Sequence, residues 1–312
     1  MKGAHKLNSY FSVINQVGVL SLIMGVGLLA KRKSLINDEL SRGLSEILVN
    51  IALPALVIGS FIVEFSYELL NNMIRIFIIS ILFHLVIILL SKIILKKYSI
   101  DKQKILGFMF IFPNSGAMGM PLVYGLYGKI GVLYLSIFLI PYQILFWTYG
   151  EGLFSNEKED INIRKYLNNP NIIAVIIGLF IFIFSIKIPF IAKEALGDIG
   201  SITMPLSMMI IGEKIGSLEF KEIILDKDVY FCSFIRLIVA PILMFIIISF
   251  FNGIPLIKNI CIAAEVIPTA TVSVLFCEKY NGNANLASKC ILATHILSIV
   301  TIPVMLMFLR FS

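Results

Sequence analysis

Long apolar stretches alternate with short polar connections along the whole chain. A helix needs about 20 apolar residues to cross the hydrocarbon core of a bilayer. Windows of that length predict ten spans, which we number 1 to 10 in chain order: 10–30, 43–63, 73–95, 105–125, 131–150, 172–190, 199–215, 230–250, 257–276 and 286–309. The pattern therefore predicts an all-α polytopic membrane protein.

Composition supports a membrane setting. Of the 312 residues 58% are hydrophobic and 14% are charged, and the mean hydropathy is +0.94, which excludes an ordinary soluble domain. Span 1 follows Lys2 and Lys6, as the apolar region of a signal peptide would. Its apolar run is long, however, and Lys31-Arg32-Lys33 follows it directly, so we expect a retained helix.

The distribution of Lys and Arg predicts the orientation. Of the 26 such residues, 17 lie in the connections after the odd-numbered spans or at the span ends beside them, eight lie correspondingly on the opposite side, and Arg236 lies deeper inside span 8. The positive-inside rule places the first set in the cytoplasm and both termini outside. We expect a multi-pass protein of the plasma membrane. The net charge of +7 is then a topology signal that implies contact with the lipid bilayer and no nucleic-acid binding.

The two halves of the chain resemble each other. Residues 1–154 and 171–312 each contain five spans, joined by a predicted cytoplasmic linker at 155–170. An odd number of spans per half makes the second half enter the membrane inverted. Prolines recur in the same order in both halves, as the pairs Pro54 and Pro205, Pro113 and Pro268, and Pro141 and Pro303. Inverted repeats of this kind are typical of secondary transporters.

Span 4 carries the densest set of helix-breaking residues, at Pro113, Gly116, Gly119 and Pro121, and Pro268 interrupts span 9. Proline removes a backbone donor and glycine is a poor helix former. Opened backbone is tolerated in a membrane only where protein or a cavity surrounds it. The pattern predicts that the two broken helices cross near the midplane, where their half-helix N-termini attract a carboxylate. The alternative is that the prolines only kink the helices for packing.

Polar side chains beside these breaks are the candidate substrate ligands. Asn114, Ser115, Thr269 and Thr271 can donate hydrogen bonds to a carboxylate, although they can equally cap the half-helices. Gln143 of span 5 could reach the same place, or could make an interhelical hydrogen bond.

Asn50, close to Pro54 in span 2, could also face the substrate, or could cap the kink that the proline causes. His84 and His295 could carry protons, although a lone histidine in an apolar segment is more often simply hydrogen-bonded.

Charged residues inside spans need partners because an unpaired charge is costly in hydrocarbon. Arg236 and Glu265 are predicted to form an ion pair, or alternatively to serve coupling, with Glu265 binding H⁺ or Na⁺. Glu213 and Lys214, at a helix end, are expected to extend to the membrane interface.

Enzymatic motifs are missing from the sequence. The four cysteines form no CxxC pair and the three histidines are scattered, so we expect neither a disulfide nor a metal site, and no cofactor. There is no Walker A loop, no dinucleotide fingerprint and no pair of intramembrane aspartates. The sequence predicts that the protein is not an enzyme.

Three motifs carry a family resemblance. Pro113-Asn114-Ser115 followed by Met118-Gly119-Met120-Pro121-Leu122 resembles the crossover stretch of the auxin efflux carrier family. That family includes plant PIN-formed carriers and bacterial malate-permease-like proteins. The run from Val274 to Asn281 is similar to the end of the family's ninth helix, and Gln143 with Trp147 matches its fifth.

The resemblance implies a fold like that of bile-acid and sodium/proton transporters. Spans 1, 2, 6 and 7 would form a scaffold domain, and spans 3–5 and 8–10 a transport domain that moves like an elevator. Related carriers dimerise through the scaffold. The resemblance also implies that Asn114 and Gln143 contact the substrate. Span 9 departs from the family pattern, because Thr269 and Thr271 stand where the plant carriers have an asparagine.

We therefore expect a secondary carrier for a small organic anion. A carboxylate such as malate or malonate, or an auxin-like acid, fits the polar crossover, and the departure in span 9 counts against auxin itself. The alternatives are a ligand-binding receptor or channel with the same fold, and a sodium-coupled organic-acid symporter of the bile-acid type.

Overall fold

The computed structural model describes residues 2–155, 169–216, 226–251 and 255–310, and the regular elements in these ranges are helices. The predicted linker residues 156–168 lie outside the described ranges. The α-helices, numbered in chain order, are α1 Lys2–Arg32, α2 Asp38–Ile47, α3 Leu53–Ser60, α4 Tyr67–Leu95, α5 Ile100–Ile111, α6 Met120–Leu145, α7 Glu151–Phe154, α8 Pro170–Ile183, α9 Phe190–Ser201, α10 Thr203–Gly216, α11 Lys227–Phe234, α12 Ala240–Ser249, α13 Pro255–Glu265, α14 Val272–Lys279 and α15 Ala284–Arg310.

Several of these helices are long and apolar enough to cross a membrane. Seven helical stretches in the described residues meet that requirement: 13–32, 39–60, 67–95, 115–154, 190–216, 227–249 and 284–309. Helix α8 is also apolar but is shorter. The chain is a multi-pass membrane protein, and the number of ten spans stays a prediction.

Gly128 breaks helix α6 between predicted spans 4 and 5. Its φ of 62° and ψ of −154° are far from helical values. Glycine has no Cβ, so it adopts this backbone conformation without the steric cost that other residues meet. The stretch 115–154 is therefore two helical pieces joined at Gly128.

Prolines account for three of the wide, π-helical turns in the described residues. The turns Leu48–Ala52, Ser115–Gly119 and Ile235–Val239 each end two residues before a proline, at Pro54, Pro121 and Pro241. A proline ring clashes with the carbonyl of the residue four positions earlier and cannot donate to it. Widening the preceding turn relieves that clash without ending the helix.

Helix α8 is shorter than the predicted span 6, which was placed at 172–190. The helix ends at Ile183, and Ser185 takes a left-handed conformation with φ of 49°. The Ile186 amide then donates to the Ile181 carbonyl at 3.0 Å, which closes the helix end. The residues up to Pro189 are not helical, and α9 begins at Phe190.

The chain divides into two compact units. The first unit comprises Met1–Ile76, Gly116–Ile137 and Ile163–Ser217; the second comprises Phe77–Ser115, Phe138–Asn162 and Leu218–Ser312. Each unit draws on both predicted repeats. The division into inverted repeats, and into a scaffold and a transport domain, stays a prediction.

Helices α1 and α10 approach each other very closely inside the first unit. A Cβ at Gly27 would lie 2.1 Å from the Met209 carbonyl oxygen, and one at Gly212 would lie 1.8 Å from that of Met24. Only glycine leaves room for backbones at this distance, as in other membrane helix pairs.

The same helix pair buries Glu213. Its carboxylate is 2.9 Å from Lys31 Nζ and accepts a hydrogen bond from the Ser41 hydroxyl at 2.8 Å. The charge of Glu213 is therefore compensated inside the unit, and its extension to the membrane interface stays a prediction. Its neighbour Lys214 is exposed.

An aromatic cluster fills the interior of the second unit. Phe108 and Phe112 contact each other with ring centroids 5.0 Å apart, and Phe112 also contacts Tyr142 and Phe146 at 5.7 and 5.3 Å. Gly150 leaves space for these rings, because a Cβ there would lie 2.9 Å from Phe112. The cluster holds α5, α6 and the turn Phe146–Gly150 around the break at residue 112.

Candidate functional site

Two helices of the second unit are interrupted at a proline. Helix α5 ends at Ile111, Phe112 is extended with φ of −109° and ψ of 103°, and helical structure resumes at Ser115. Helix α13 ends at Glu265, and α14 begins at Val272. Pro113 and Pro268 lie inside the two interruptions.

The two interruptions are hydrogen-bonded to each other. The Asn114 amide donates to the Pro268 carbonyl at 2.8 Å, and the Ala270 amide donates to the Phe112 carbonyl at 3.0 Å. These bonds form a short antiparallel bridge in which Pro113 lies opposite Thr269. We call residues 112–114 and 268–270 the bridge. It satisfies backbone groups that would otherwise be unpaired in an apolar interior.

Arg236 satisfies carbonyls at and just beyond the ends of the two helices that lead into the bridge. Its guanidinium donates to the carbonyls of Phe110 at 2.9 Å, Glu265 at 2.6 Å and Ile267 at 3.1 Å. The last carbonyls of a helix carry partial negative charge, so a cation there is favourable. Arg236 lies in the wide turn before Pro241, and its side chain is completely buried.

Glu265 neutralises this buried cation. Its Oε2 lies 2.6 Å from Arg236 Nη2, and both side chains are 0% exposed. Its other oxygen, Oε1, is buried and has no hydrogen-bond partner in the part of the chain that the structure describes. The pair carries no net charge, and it leaves one carboxylate oxygen able to accept a further donor or cation.

Helix α6 contributes a tyrosine and a glutamine to the same region. The Tyr142 hydroxyl donates to the Pro113 carbonyl at 2.6 Å, which fixes one side of the bridge. Gln143 follows directly and is half-buried, and its Oε1 has no hydrogen-bond partner among the described residues. Gln143 therefore has an amide oxygen available for a ligand.

The hydroxyl groups of Ser115 and Thr269 are used internally. Ser115 donates to the Ala264 carbonyl at 3.3 Å. Thr294 Oγ1 lies 2.8 and 3.0 Å from the carbonyls of Cys290 and Ile291, so its proton points at them, and Thr269 must donate to Thr294 at 3.1 Å. Both residues are fully buried. In this structure they hold the bridge in place and their donors are not offered to a ligand.

Asn114 has its side chain beside a histidine of α15. The distance from Asn114 Nδ2 to His295 Nε2 is 3.5 Å, the long end of the hydrogen-bonding range. His295 Nδ1 lies 2.9 Å from the Ile291 carbonyl. Asn114 keeps 8% of its surface exposed and His295 keeps 1%. The amide is thus held at the edge of the bridge by a backbone bond on one side and an imidazole on the other.

The remaining candidate residues follow the bridge along the chain, except Asn50, which lies in the first unit. Thr271 precedes α14, is half-buried and makes no side-chain capping bond. Asn50 is exposed in the wide turn Leu48–Ala52 of the first unit. Gly116 and Gly119 form part of the turn Ser115–Gly119, and Pro121 is the second residue of α6.

His84 lies on α4 and is fully buried. Its Nδ1 is 2.7 Å from the Ser80 carbonyl, and its ring lies beside Tyr142 with centroids 5.8 Å apart. Its Nε2 has no hydrogen-bond partner among the described residues. His84 makes no hydrogen bond to the bridge itself in the contacts that the structure gives.

Sequence reasoning did not anticipate the contacts of Tyr142, Thr294 and His295 with the bridge. These residues lie 25 or more positions from their partners along the chain. No local motif marks such contacts, because helix packing alone brings the side chains together. The sequence shows that each of these polar residues lies in an apolar span. It does not show which residue each one contacts.

A second charged cluster ties α14 to α7. Glu151 is buried and its Oε1 accepts from Lys279 Nζ at 2.8 Å and from the Tyr280 hydroxyl at 2.9 Å. The hydrogen bond with Glu151 raises the pKa of Lys279 above its ordinary value. This cluster fixes the far end of the helix that starts after the bridge.

Comparison with known proteins finds transporter relatives along most of the chain. The profile of a family described as membrane transport protein matches residues 12–306. An uncharacterised transporter of Methanocaldococcus jannaschii is 23% identical over 296 residues, covering 91% of this chain and 94% of that protein. An uncharacterised transporter of Methanothermobacter thermautotrophicus is 21% identical over 294 residues, covering 92% and 95%. The chain belongs to the auxin efflux carrier family of membrane transport proteins.

Proposed function

We propose that this protein is a secondary carrier for a small organic anion, which binds beside the bridge. The observation that supports this most directly is the direct pairing of two interrupted helices around Asn114. Interrupted helices in transporters present backbone groups and half-helix ends to a substrate. Membership of a transporter family supports the same class of function.

The polar groups favour a carboxylate. The Asn114 amide keeps a small exposed fraction and has an NH₂ group that can donate to a carboxylate, and α14 begins at Val272 with a positive dipole end. Malate, malonate and auxin-like acids share the carboxylate that these groups can bind. We further propose a plasma-membrane location and elevator-type alternating access, in which a transport domain of spans 3–5 and 8–10 moves past a scaffold domain of spans 1, 2, 6 and 7.

Counterflow in proteoliposomes tests the proposal. Vesicles loaded with unlabelled malonate or malate should accumulate the labelled anion, and the flux should saturate and be stimulated by substrate on the opposite side. Flux that does not saturate would instead identify a channel. Binding without flux would identify a receptor.

Asn114→Ala should abolish counterflow while the yield of folded protein stays near that of the wild type. The matched control is Asn72→Ala, because Asn72 is a buried amide that donates to Tyr134 at 3.2 Å inside the first unit. The control should keep its transport. Equal losses of yield and transport in Asn114→Ala would show that the side chain has only a capping role.

Sodium coupling is a second candidate, which Oε1 of Glu265 favours because it has no hydrogen-bond partner among the described residues. A buried carboxylate oxygen without a donor is a suitable ligand for a small cation. Counterflow should then require Na⁺ on the substrate side. Equal rates in sodium and in choline salts would exclude it.

A further inference from the structure

Three sulfur atoms from three different helices meet inside the second unit. The Cys232 thiol of α11 donates to the thioether of Met109 on α5, and the two sulfurs are 3.8 Å apart. The Cys290 thiol of α15 is hydrogen-bonded to Cys232 and acts as the donor, because the hydrogen of Cys232 already points at Met109. All three side chains are buried. We call these three residues the sulfur triad.

Helix packing assembles the triad, and no local motif in the sequence marks it. Helix α11 packs against both α5 and α15, which brings together residues that are far apart along the chain. The sequence expectation of no metal site considered cysteine and histidine spacing only. The thioether of Met109 adds a third ligand, 123 positions from Cys232.

The spacing of the sulfurs suits a bound metal ion. A bond between a metal and a thiolate sulfur is about 2.3 Å long, so three sulfurs arranged in a plane around one ion lie about 4 Å from each other. The distance of 3.8 Å between Cys232 and Met109 agrees with one edge of such a triangle. A disulfide between the two cysteines would instead leave the thioether without a role.

The ligand types indicate which metal would bind. Thiolate and thioether ligands together select Cu⁺ and similar soft ions, whereas structural zinc sites need four ligands. Charge favours a monovalent ion as well. When the ion binds, one thiol releases its proton to water, and the other thiol and the thioether bind through lone pairs. The site then stays neutral, which avoids burying a net charge in an apolar interior.

A path to the triad exists from one end of the helices. Cys232 and Cys290 both lie in the first two turns of their helices. The charge rule places the connections before these helices in the cytoplasm, where thiols are kept reduced. Asp226 and Asp228, at the start of α11, are close enough to act on Cys290 electrostatically. Their carboxylates would attract a cation to this end of the unit.

The triad lies about one helical turn from the residues that build the bridge. Met109 is three positions before the bridge on α5, and Cys232 is four positions before Arg236. Cys290 is four positions before Thr294, whose hydroxyl donates to the Cys290 carbonyl at 2.8 Å. An ion held by the triad would therefore connect the three helices that carry these groups.

We propose that Met109, Cys232 and Cys290 bind one soft monovalent metal ion of the class of Cu⁺ and Ag⁺. The inference is independent of the proposed carrier function, because none of the three residues belongs to the proposed anion site. The bound ion cross-links α5, α11 and α15. It stabilises the folded protein, because the unfolded chain does not hold the three sulfurs together.

Competition for Cu⁺ with a chelator tests the inference on the purified full-length protein, without oxygen and with ascorbate present. Bicinchoninate forms a coloured complex with Cu⁺, and the wild-type protein should remove one Cu⁺ per chain from it. X-ray absorption at the copper edge should then show three sulfur ligands at about 2.3 Å.

Two variants identify the ligands. The double variant Cys232→Ser, Cys290→Ser should remove no Cu⁺ from the chelator. Met109→Leu conserves volume, so it should fold, and it should weaken Cu⁺ binding at least about tenfold, because even changes beside a metal ligand cost about 10–100-fold. Cys277→Ser is the matched control, since Cys277 is an equally buried thiol of the same unit, and it should bind Cu⁺ as the wild type does.

The outcomes separate a metal site from ordinary packing of three sulfurs. One Cu⁺ per chain that is lost in the double variant and bound more weakly by Met109→Leu supports the inference. Failure of the wild type to take Cu⁺ from the chelator overturns it, and so does binding that survives in the double variant or is unchanged in Met109→Leu. Thermal unfolding without metal shows whether each variant is folded, and Met109→Leu decides the question if the double variant is not. Counterflow tests the carrier proposal separately.

Discussion

At the scale of single residues, Arg236 organises the bridge. Its one side chain satisfies a carbonyl at the end of α5, one at the end of α13 and the Ile267 carbonyl in the interruption after α13, and it neutralises Glu265. The cost of burying a guanidinium is offset because each of these acceptors would otherwise be unpaired in the same apolar place. The contacts support a structural role for the ion pair in holding the two interruptions together.

Arg236→Met should therefore destabilise the protein strongly. Methionine fills a similar volume but leaves Glu265 as a buried unpaired charge, and removing one partner of such a pair costs about 3–5 kcal/mol. The midpoint of denaturant-induced unfolding in detergent measures the effect. Lys102→Met is the control, because it removes the exposed pair with Asp228 and should shift the midpoint little. Equal shifts in both variants would contradict the role assigned to Arg236.

Thr269 offers a second test at this scale, because its hydroxyl donates to Thr294. Thr269→Val should keep the apparent affinity for the transported anion and lower thermal stability by about 0.6 kcal/mol, the average for a side-chain hydrogen bond in a membrane protein. Parallel measurements of counterflow and melting temperature separate the two effects. A large loss of affinity with unchanged stability would show that Thr269 binds the substrate directly.

At the scale of elements, glycine and proline determine how the helices are interrupted and packed. Wide turns precede Pro54, Pro121 and Pro241, whereas the chain becomes extended at Pro113 and Pro268. The sequence shows all of these prolines alike. The two extended ones differ because each interruption finds the other as a backbone partner, which compensates for the loss of helical hydrogen bonds.

Gly27→Ala should weaken the packing of α1 on α10. An added methyl group would lie 2.1 Å from the Met209 carbonyl oxygen, so the helices must separate, and overpacking of this kind costs about 1–3 kcal/mol. Gly25→Ala is the control on the same helix, where nothing lies within 4 Å of the new Cβ. Thermal unfolding should show a lower midpoint for the first variant only. A similar midpoint for both would contradict the close approach.

At the scale of the whole molecule, the distribution of Lys and Arg predicts which connections face the cytoplasm. The four native cysteines are buried and free, so single added cysteines can report exposure to either side of the membrane. Ser34, after α1, and Glu64, after α3, are both exposed positions in connections that the charge rule places on opposite sides.

Labelling of intact cells with a membrane-impermeant maleimide tests this orientation. Glu64→Cys should react, whereas Ser34→Cys should react only after the cells are opened. The reason is the cluster Lys31-Arg32-Lys33, which the positive-inside rule keeps in the cytoplasm. The reverse labelling pattern would overturn the predicted topology.

The sequence alone predicted the membrane class, the approximate helices, the breaks at Pro113 and Pro268, and the family. Each of these depends on the length of an apolar run, on proline and glycine, or on a short motif. The tertiary structure decided which groups meet: the bridge, the three carbonyls bound by Arg236, the internal use of the Ser115 and Thr269 hydroxyls, the burial of Glu213 and the contact of Asn114 with His295. These contacts join residues far apart in sequence, and no local pattern specifies them. Packing of helices brings them together, and the need to pair every buried polar group then determines the partners.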